Sequence, residues 1–212
     1  MRQNGITLIE LVVVIAIVAI LAVALGFQFA GWIQRYQVES EIKTMQADLA
    51  SARQKAMEKN LQYVVQLPAL NGKSYTICED TNQNNICDAP AETTNSPVSH
   101  LLSKNGLTYP ITWDLAGGAG AQIVMTQAGV VKTAQGASGA LQDINNTTPQ
   151  KIWVIEPSTG KAYVSKDNTQ SNYYGNVDYD CISVSTLRIG VGKYDDDGTK
   201  TTCATANTCC VK

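Results

Sequence analysis

"GITLIELVVVIAIVAILAVAL", residues 5–25, is an apolar run with one carboxylate, Glu10, set near its start. From Leu11 to Leu25 it is uninterrupted, and Ile6 to Ile9 extend it with Thr7 as the only other polar residue. A helix needs about 20 such residues to cross a bilayer. An ionisable group inside such a segment costs at least about 2.5 kcal/mol and marks function by default. A secretory signal would place a basic region first, then a shorter apolar core and a small-residue cleavage site. Here Gly5 follows Arg2 almost at once, and no such site closes the run before "GFQFAGWIQRYQ". The segment reads as retained. Arg2 on the short side predicts a cytoplasmic N-terminus, with everything after Gln28 sent across the membrane.

Apolar residues continue beyond the run at Phe29, Ile33, Val38, Ile42, Met45, Leu49, Ala52 and Ala56, steps that keep to one face of a helix. Glu39, Glu41, Lys43, Gln46, Asp48, Arg53 and Lys55 fill the other faces. Residues 6 to 60 therefore predict one helix about 80 Å long. Its first half is apolar all round and its second amphipathic, with Gly26 and Gly31 as weak points where the chain has no proline.

From Leu61 the period changes. "LQYVVQLP", "KSYTIC", "GLTYPITWDL", "AQIVMTQ", "KIWVIEP", "KAYVSK" and "CISVSTLRIGVGKY" are rich in β-branched and aromatic residues and are bounded by Gly, Asn, Pro and Asp. They predict strands. Asn71-Gly72 and Thr159-Gly160 are hairpin-turn dipeptides, whereas "DLAGGAGA" and "TAQGASGALQDINNTTPQ" read as loops. The predicted class is α+β, an antiparallel head packed on a long helix. The expected division is a leader at 1–5, a transmembrane segment at 6–28, its amphipathic continuation at 29–60 and a β-rich head at 61–212.

The 16 Lys and Arg against 18 Asp and Glu give a net charge of −2, so no global basic surface recruits nucleic acid. The tail after Tyr179 sets Arg188, Lys193, Lys200 and Lys212 against Asp180 and Asp195 to Asp197, which argues against phosphate binding. His100 is the single histidine and reads as a solvated loop residue. One histidine leaves little for a hydrolytic triad or a multi-histidine metal site. With no nucleophile elbow and no phosphate loop either, no enzyme is expected.

"G-I-T-L-I-E" before an apolar helix resembles the processing site of type IV pilins and type II secretion pseudopilins. The resemblance implies cleavage by a prepilin peptidase between Gly5 and Ile6, followed by N-methylation of Ile6. It also implies a single-pass inner-membrane subunit with a periplasmic head, partnered by other pilins or pseudopilins. Glu10 takes the place of that family's glutamate, and Ile6 departs from its usual phenylalanine. The new amine on Ile6 is a buried positive charge, and Glu10 of a neighbouring subunit is its natural partner. Removing one member of such a pair typically costs about 3 to 5 kcal/mol, which would enforce register. The head resembles most the H-type minor pseudopilins and fimbrial-T-like minor pilins, in "ARQKAMEKN", in an aspartate-asparagine loop and in the hairpin "ISVSTLRIGVG".

All six cysteines, Cys78, Cys87, Cys181, Cys203, Cys209 and Cys210, lie beyond the anchor. An even number in a translocated domain favours disulfides. Proximity pairs Cys78 with Cys87, and Cys181 is expected to bond into the C-terminal segment. Adjacent Cys209 and Cys210 do not bond each other without strain. "CATANTCC" lacks the histidine and the spacing of a zinc site.

Between Cys78 and Cys87 begins "EDTNQNNICDAPAE". Asp80, Asn82, Asn84, the Ile86 carbonyl and Asp88 fall at the first, third, fifth, seventh and ninth positions of a calcium loop. Asn85 stands where glycine is usual and Ala91 where the bidentate carboxylate belongs, with Glu92 one residue late. Two readings stay open, a calcium site and a polar turn clamped by a disulfide. Among functions, a structural filament subunit leads, and a pilin-anchored adhesive or DNA-uptake module with a calcium-stabilised loop is the alternative.

Overall fold

The computed structural model describes residues 7–67, 72–87, 100–114, 121–135, 140–144, 150–154, 179–195 and 208–211. One helix among them, α1 (Leu8–Lys59), runs unbroken through Gly26 and Gly31 for 52 residues, about 80 Å. It ends at Asn60, whose left-handed backbone (φ 53°) lets its N–H reach back to the Ala56 carbonyl.

Eleven strands form two antiparallel sheets among the described residues. The first sheet contains β1 (Gln62–Gln66), β2 (Ser74–Asp80), β3 (His100–Asn105), β5 (Ala121–Met125), β6 (Val131–Gln135) and β7 (Leu141–Asp143), in the order β3-β2-β1-β5-β6-β7. The second contains β4 (Ile111–Asp114), β8 (Gln150–Val154), β9 (Cys181–Val184), β10 (Ile189–Asp195) and β11 (Thr208–Val211), in the order β11-β10-β9-β8-β4. The fold is α+β, as the change of period at Leu61 predicts.

Both sheets pack on α1. Val38, Ile42, Met45, Leu49, Ala52 and Ala56 are all buried, in one core with Tyr63, Val65, Tyr75, Ile77, Ile123 and Met125 from the first sheet and Ile111, Trp113, Ile152, Val154, Ile182 and Val184 from the second. Truncating Leu49, which is fully buried, removes a large side chain from the middle of that core, at about 2 to 5 kcal/mol for a Leu→Ala change. Ile33 keeps the helical spacing but is 48% exposed, because the sheets begin to cover the helix only near Val38. The Phe29 side chain lies outside the described residues.

Four strands differ from the sequence reading. His100 opens β3, with its backbone paired opposite Cys78, so it is not a loop residue. "VKTAQ" is β6 and "LQD" is β7, inside and beside a stretch read as loop. Their small polar residues are drawn into the ladder by β5, which lies beside β1 and offers β6 its other edge. "TCCV" is β11, paired to β10. "KAYVSK", Asn71 and the Thr159-Gly160 turn lie outside the described residues.

Polar side chains fasten the helix to the strands. Arg53 donates from Nε to the Gly129 carbonyl and from Nη1 to the Leu187 carbonyl, both at 2.6 Å. One guanidinium thus holds a hairpin tip from each sheet. Glu41 accepts the backbone N–H groups of Thr108 at 2.7 Å and Tyr109 at 3.4 Å. The sheets meet directly as well, where the Val131 N–H donates to the Thr186 carbonyl at 2.9 Å.

Candidate functional site

The N-terminal end of α1 is a capping box. Thr7 is the N-cap, extended at φ −80° and ψ 152°, and its hydroxyl accepts weakly from the Glu10 N–H at 3.4 Å. The Glu10 carboxylate folds back, and its Oε2 accepts both the Thr7 N–H and the Thr7 hydroxyl at 2.8 Å. Two of the donors and acceptors that a helix start leaves open are thereby satisfied reciprocally. Gly5 and Ile6 lie just before this box, outside the described residues. The sequence carries the signal plainly, a threonine three residues before a glutamate ahead of an apolar run.

Past the cap, the helix presents apolar surface on every side. From Leu8 (81% exposed) to Val23 (64%) no large apolar side chain finds a partner in the head. Exposed apolar surface on this scale marks a partner or a lipid phase. No helix among the described residues is long and apolar enough to cross a membrane.

Residues 1–26 match the family described as the prokaryotic N-terminal methylation motif. The motif supports a type IV pilin-like protein. It supports prepilin-type processing and points to a structural role in assembly with other pilin subunits. The match covers the capping box and the apolar run and stops well before the head. No curated protein and no solved structure matches the chain.

The β-rich head carries the second candidate. Cys78 and Cys87 form a disulfide, closing a short loop across the face of the first sheet that points away from α1. There Cys87 packs on Val64, Cys78, Val124 and Ala134, all four buried. Inside the loop, Asp80 Oδ1 accepts the Asn84 N–H at 3.1 Å, and Oδ2 accepts the Asn85 N–H at 2.8 Å and Gln62 Nε2 at 2.7 Å. Gln62 Nε2 also donates to Asn85 Oδ1 at 2.7 Å. Asn82 and Asn84 each accept a backbone N–H two residues on, from Asn84 at 3.2 Å and Ile86 at 2.9 Å. Gln83 and Asn85 take positive φ, 57° and 63°, which the turn requires and asparagine tolerates well. The side-chain oxygens of Asp80, Asn82 and Asn84 all serve the turn's own backbone. Asp88 lies outside the described residues, and no group of three or more His, Cys, Asp or Glu able to hold a metal ion occurs among the described residues.

Cys181, at the start of β9, is also disulfide-bonded. The side chains of Cys203, Cys209 and Cys210 are not described, although the backbones of Cys209 and Cys210 lie in β11 opposite Tyr194 and Lys193.

At the far end of α1, Glu79 accepts from the Lys59 ammonium and the Tyr63 hydroxyl. Burial and the bond to Glu79 push the Tyr63 hydroxyl up to about 12, and the same carboxylate raises Lys59. Tyr75 donates to Asp48, and burial followed by that bond moves its hydroxyl still further up. These groups weld the helix to β1 and β2.

Proposed function

We propose that the chain is a minor subunit of an envelope filament of the pilin type, either an H-type pseudopilin of a type II secretion pseudopilus or a type IV minor pilin. A prepilin peptidase removes Met1 to Gly5, and Ile6 becomes the methylated N-terminus. Before assembly the apolar part of α1 lies in the inner membrane with the head in the periplasm. In the filament it packs among the same segments of neighbouring subunits, and Glu10 meets the Ile6 amine of one of them.

The observation that supports this most is the helix itself. A single rigid rod is half buried in a two-sheet head and half covered with unpartnered apolar side chains, and its tip carries the methylation motif. Only a lipid phase or a bundle of like helices satisfies such a surface all round.

Mass spectrometry of the mature protein tests the reading. The expected N-terminus is methylated Ile6, and Gly5→Ala leaves precursor in the membrane fraction. An intact Met1, or a cut after Ala24, overturns it.

A further inference from the structure

We propose that Thr7 is a positioning residue for Glu10, holding its carboxylate folded back over the helix start so that it faces a partner arriving from the N-terminal end. The inference rests on the assembly reading above and adds a residue to it.

The geometry is specific. Both bonds to the carboxylate, from the Thr7 N–H and hydroxyl, fall on the same oxygen, Oε2, at 2.8 Å. The carboxylate is therefore pinned at one corner, and Oε1 makes no bond in the capping box. An unpinned glutamate side chain has three rotatable bonds and would sample directions along the helix as well as beyond its end. Pinning removes that freedom before a partner arrives, and preorganisation of this kind improves binding by lowering the ordering cost. The two donors also compensate the carboxylate where apolar neighbours Leu8, Ile9 and Leu11 offer it nothing. Thr7 Oγ1 in turn accepts from the Glu10 N–H, so one hydroxyl fixes both where the helix begins and where its acid points.

The test uses the full chain in its native host. Thr7→Val keeps the backbone N–H bond and the side-chain shape but removes the hydroxyl; Thr7→Ser keeps the hydroxyl. Incorporation into filaments is read as the amount co-purifying with sheared filaments, normalised to processed protein in the membrane. Thr7→Val is expected to lower it by about fivefold, the factor that corresponds to losing a typical N-cap of about 1 kcal/mol. Thr7→Ser is expected to restore it. The melting temperature of the detergent-solubilised head signal stays at the wild-type value in both variants, since Thr7 touches no residue of the sheets in the capping network. Incorporation of Thr7→Val at the wild-type level overturns this inference and leaves the assembly reading standing. Equal loss in Thr7→Val and Thr7→Ser also overturns it, because the hydroxyl is then not the cause. Failure of the wild-type chain to enter any filament overturns the assembly reading and this inference with it.

Discussion

Arg53 Nε lies 2.6 Å from the Gly129 carbonyl, so the stem of the molecule is bonded directly to the tip of the β5–β6 hairpin. The same guanidinium reaches the Leu187 carbonyl of the β9–β10 hairpin, which makes Arg53 the polar tie between the helix and both sheets. Charge-assisted bonds of this sort contribute about 1.5 to 3 kcal/mol each, less where water competes. Arg53→Ala is expected to destabilise the head by about 2 kcal/mol. Arg53→Lys recovers only part of this, because one ammonium cannot span both carbonyls. Chemical denaturation of the detergent-solubilised chain measures both, and an Arg53→Ala midpoint equal to wild type would show the tie to be dispensable.

Gly129 sits under the same arginine with φ +73°, and a Cβ there would come within 2.4 Å of Met57 Sδ. Two separable costs follow. The left-handed backbone costs a non-glycine residue about 1 to 2 kcal/mol, and the steric contact adds to it until Met57, 49% exposed, swings outward. Gly129→Ala is expected to lower the melting temperature, and Met57→Ala in the same chain to return only the steric part. Full recovery in the double variant would mean the backbone carries no strain.

The Tyr63 hydroxyl titrates at about 12 in the fold against an ordinary 10.0, since burial and Glu79 both favour its neutral form. Its contribution is fully present below pH 10, where the unfolded tyrosine is also neutral, and is lost as pH rises through about 12. Tyr75, also raised, adds to the same alkaline loss. Stability should therefore fall above pH 10, and Tyr63→Phe should flatten part of that slope while lowering stability at pH 7. An unchanged slope in Tyr63→Phe would assign the alkaline loss elsewhere.

Much of this architecture is legible because burial imposes a period. Val38 to Ala56 recur at helical steps since they face one continuous core, and "LQYVVQ" reads as a strand because Tyr63 and Val65 face the helix while Val64 faces the disulfide cluster. The legibility fails where tertiary pairing overrides composition. Leu141 to Asp143 is exposed throughout, so nothing in its pattern marks a strand; it extends only because β6 offers it an unpaired edge, with Lys132 and Asp143 bridging at 3.0 Å. Ile33 shows the converse, a core-like spacing that continues past the end of the core. At the helix tip, Glu10 stands out in the sequence as an acid in an apolar run and Thr7 sits at capping-box spacing before it, while the fold-back of the carboxylate onto Thr7 is seen in the geometry.

The Cys78–Cys87 loop is expected to behave as a clamped turn. Both oxygens of Asp80 already accept N–H groups, two from the turn's own backbone and one from Gln62, so a calcium ion would have to share them with bonds that shape the loop. Calcium and chelator should give the same melting curve. Cys78→Ser should lower stability by about 2 to 3 kcal/mol, the closed loop being short, and should expose Val64 and Val124 to an apolar dye. A rise in melting temperature at millimolar calcium, abolished by Asp80→Ala, would establish the metal site instead.

Glu10→Val is expected to separate processing from assembly. The substitution makes the apolar run more uniform, so insertion in the membrane is expected to be maintained, and the proposed cleavage at Gly5–Ile6 lies on the other side of Thr7. What the proposed assembly loses is the carboxylate that meets a neighbour's Ile6 amine. A buried ammonium left without its partner typically costs about 3 to 5 kcal/mol, a factor of about a hundred to a few thousand in incorporation at about 1.4 kcal/mol per tenfold. Mass spectrometry should find the mature N-terminus at wild-type yield while sheared filaments contain almost none of the variant. Glu10→Asp shortens the side chain by one methylene and is expected to fall between the two, since it retains the charge but reaches less far from the helix start. Normal incorporation of Glu10→Val would show that packing of the apolar helices alone sets the register, and the carboxylate would then be left with its capping role toward Thr7.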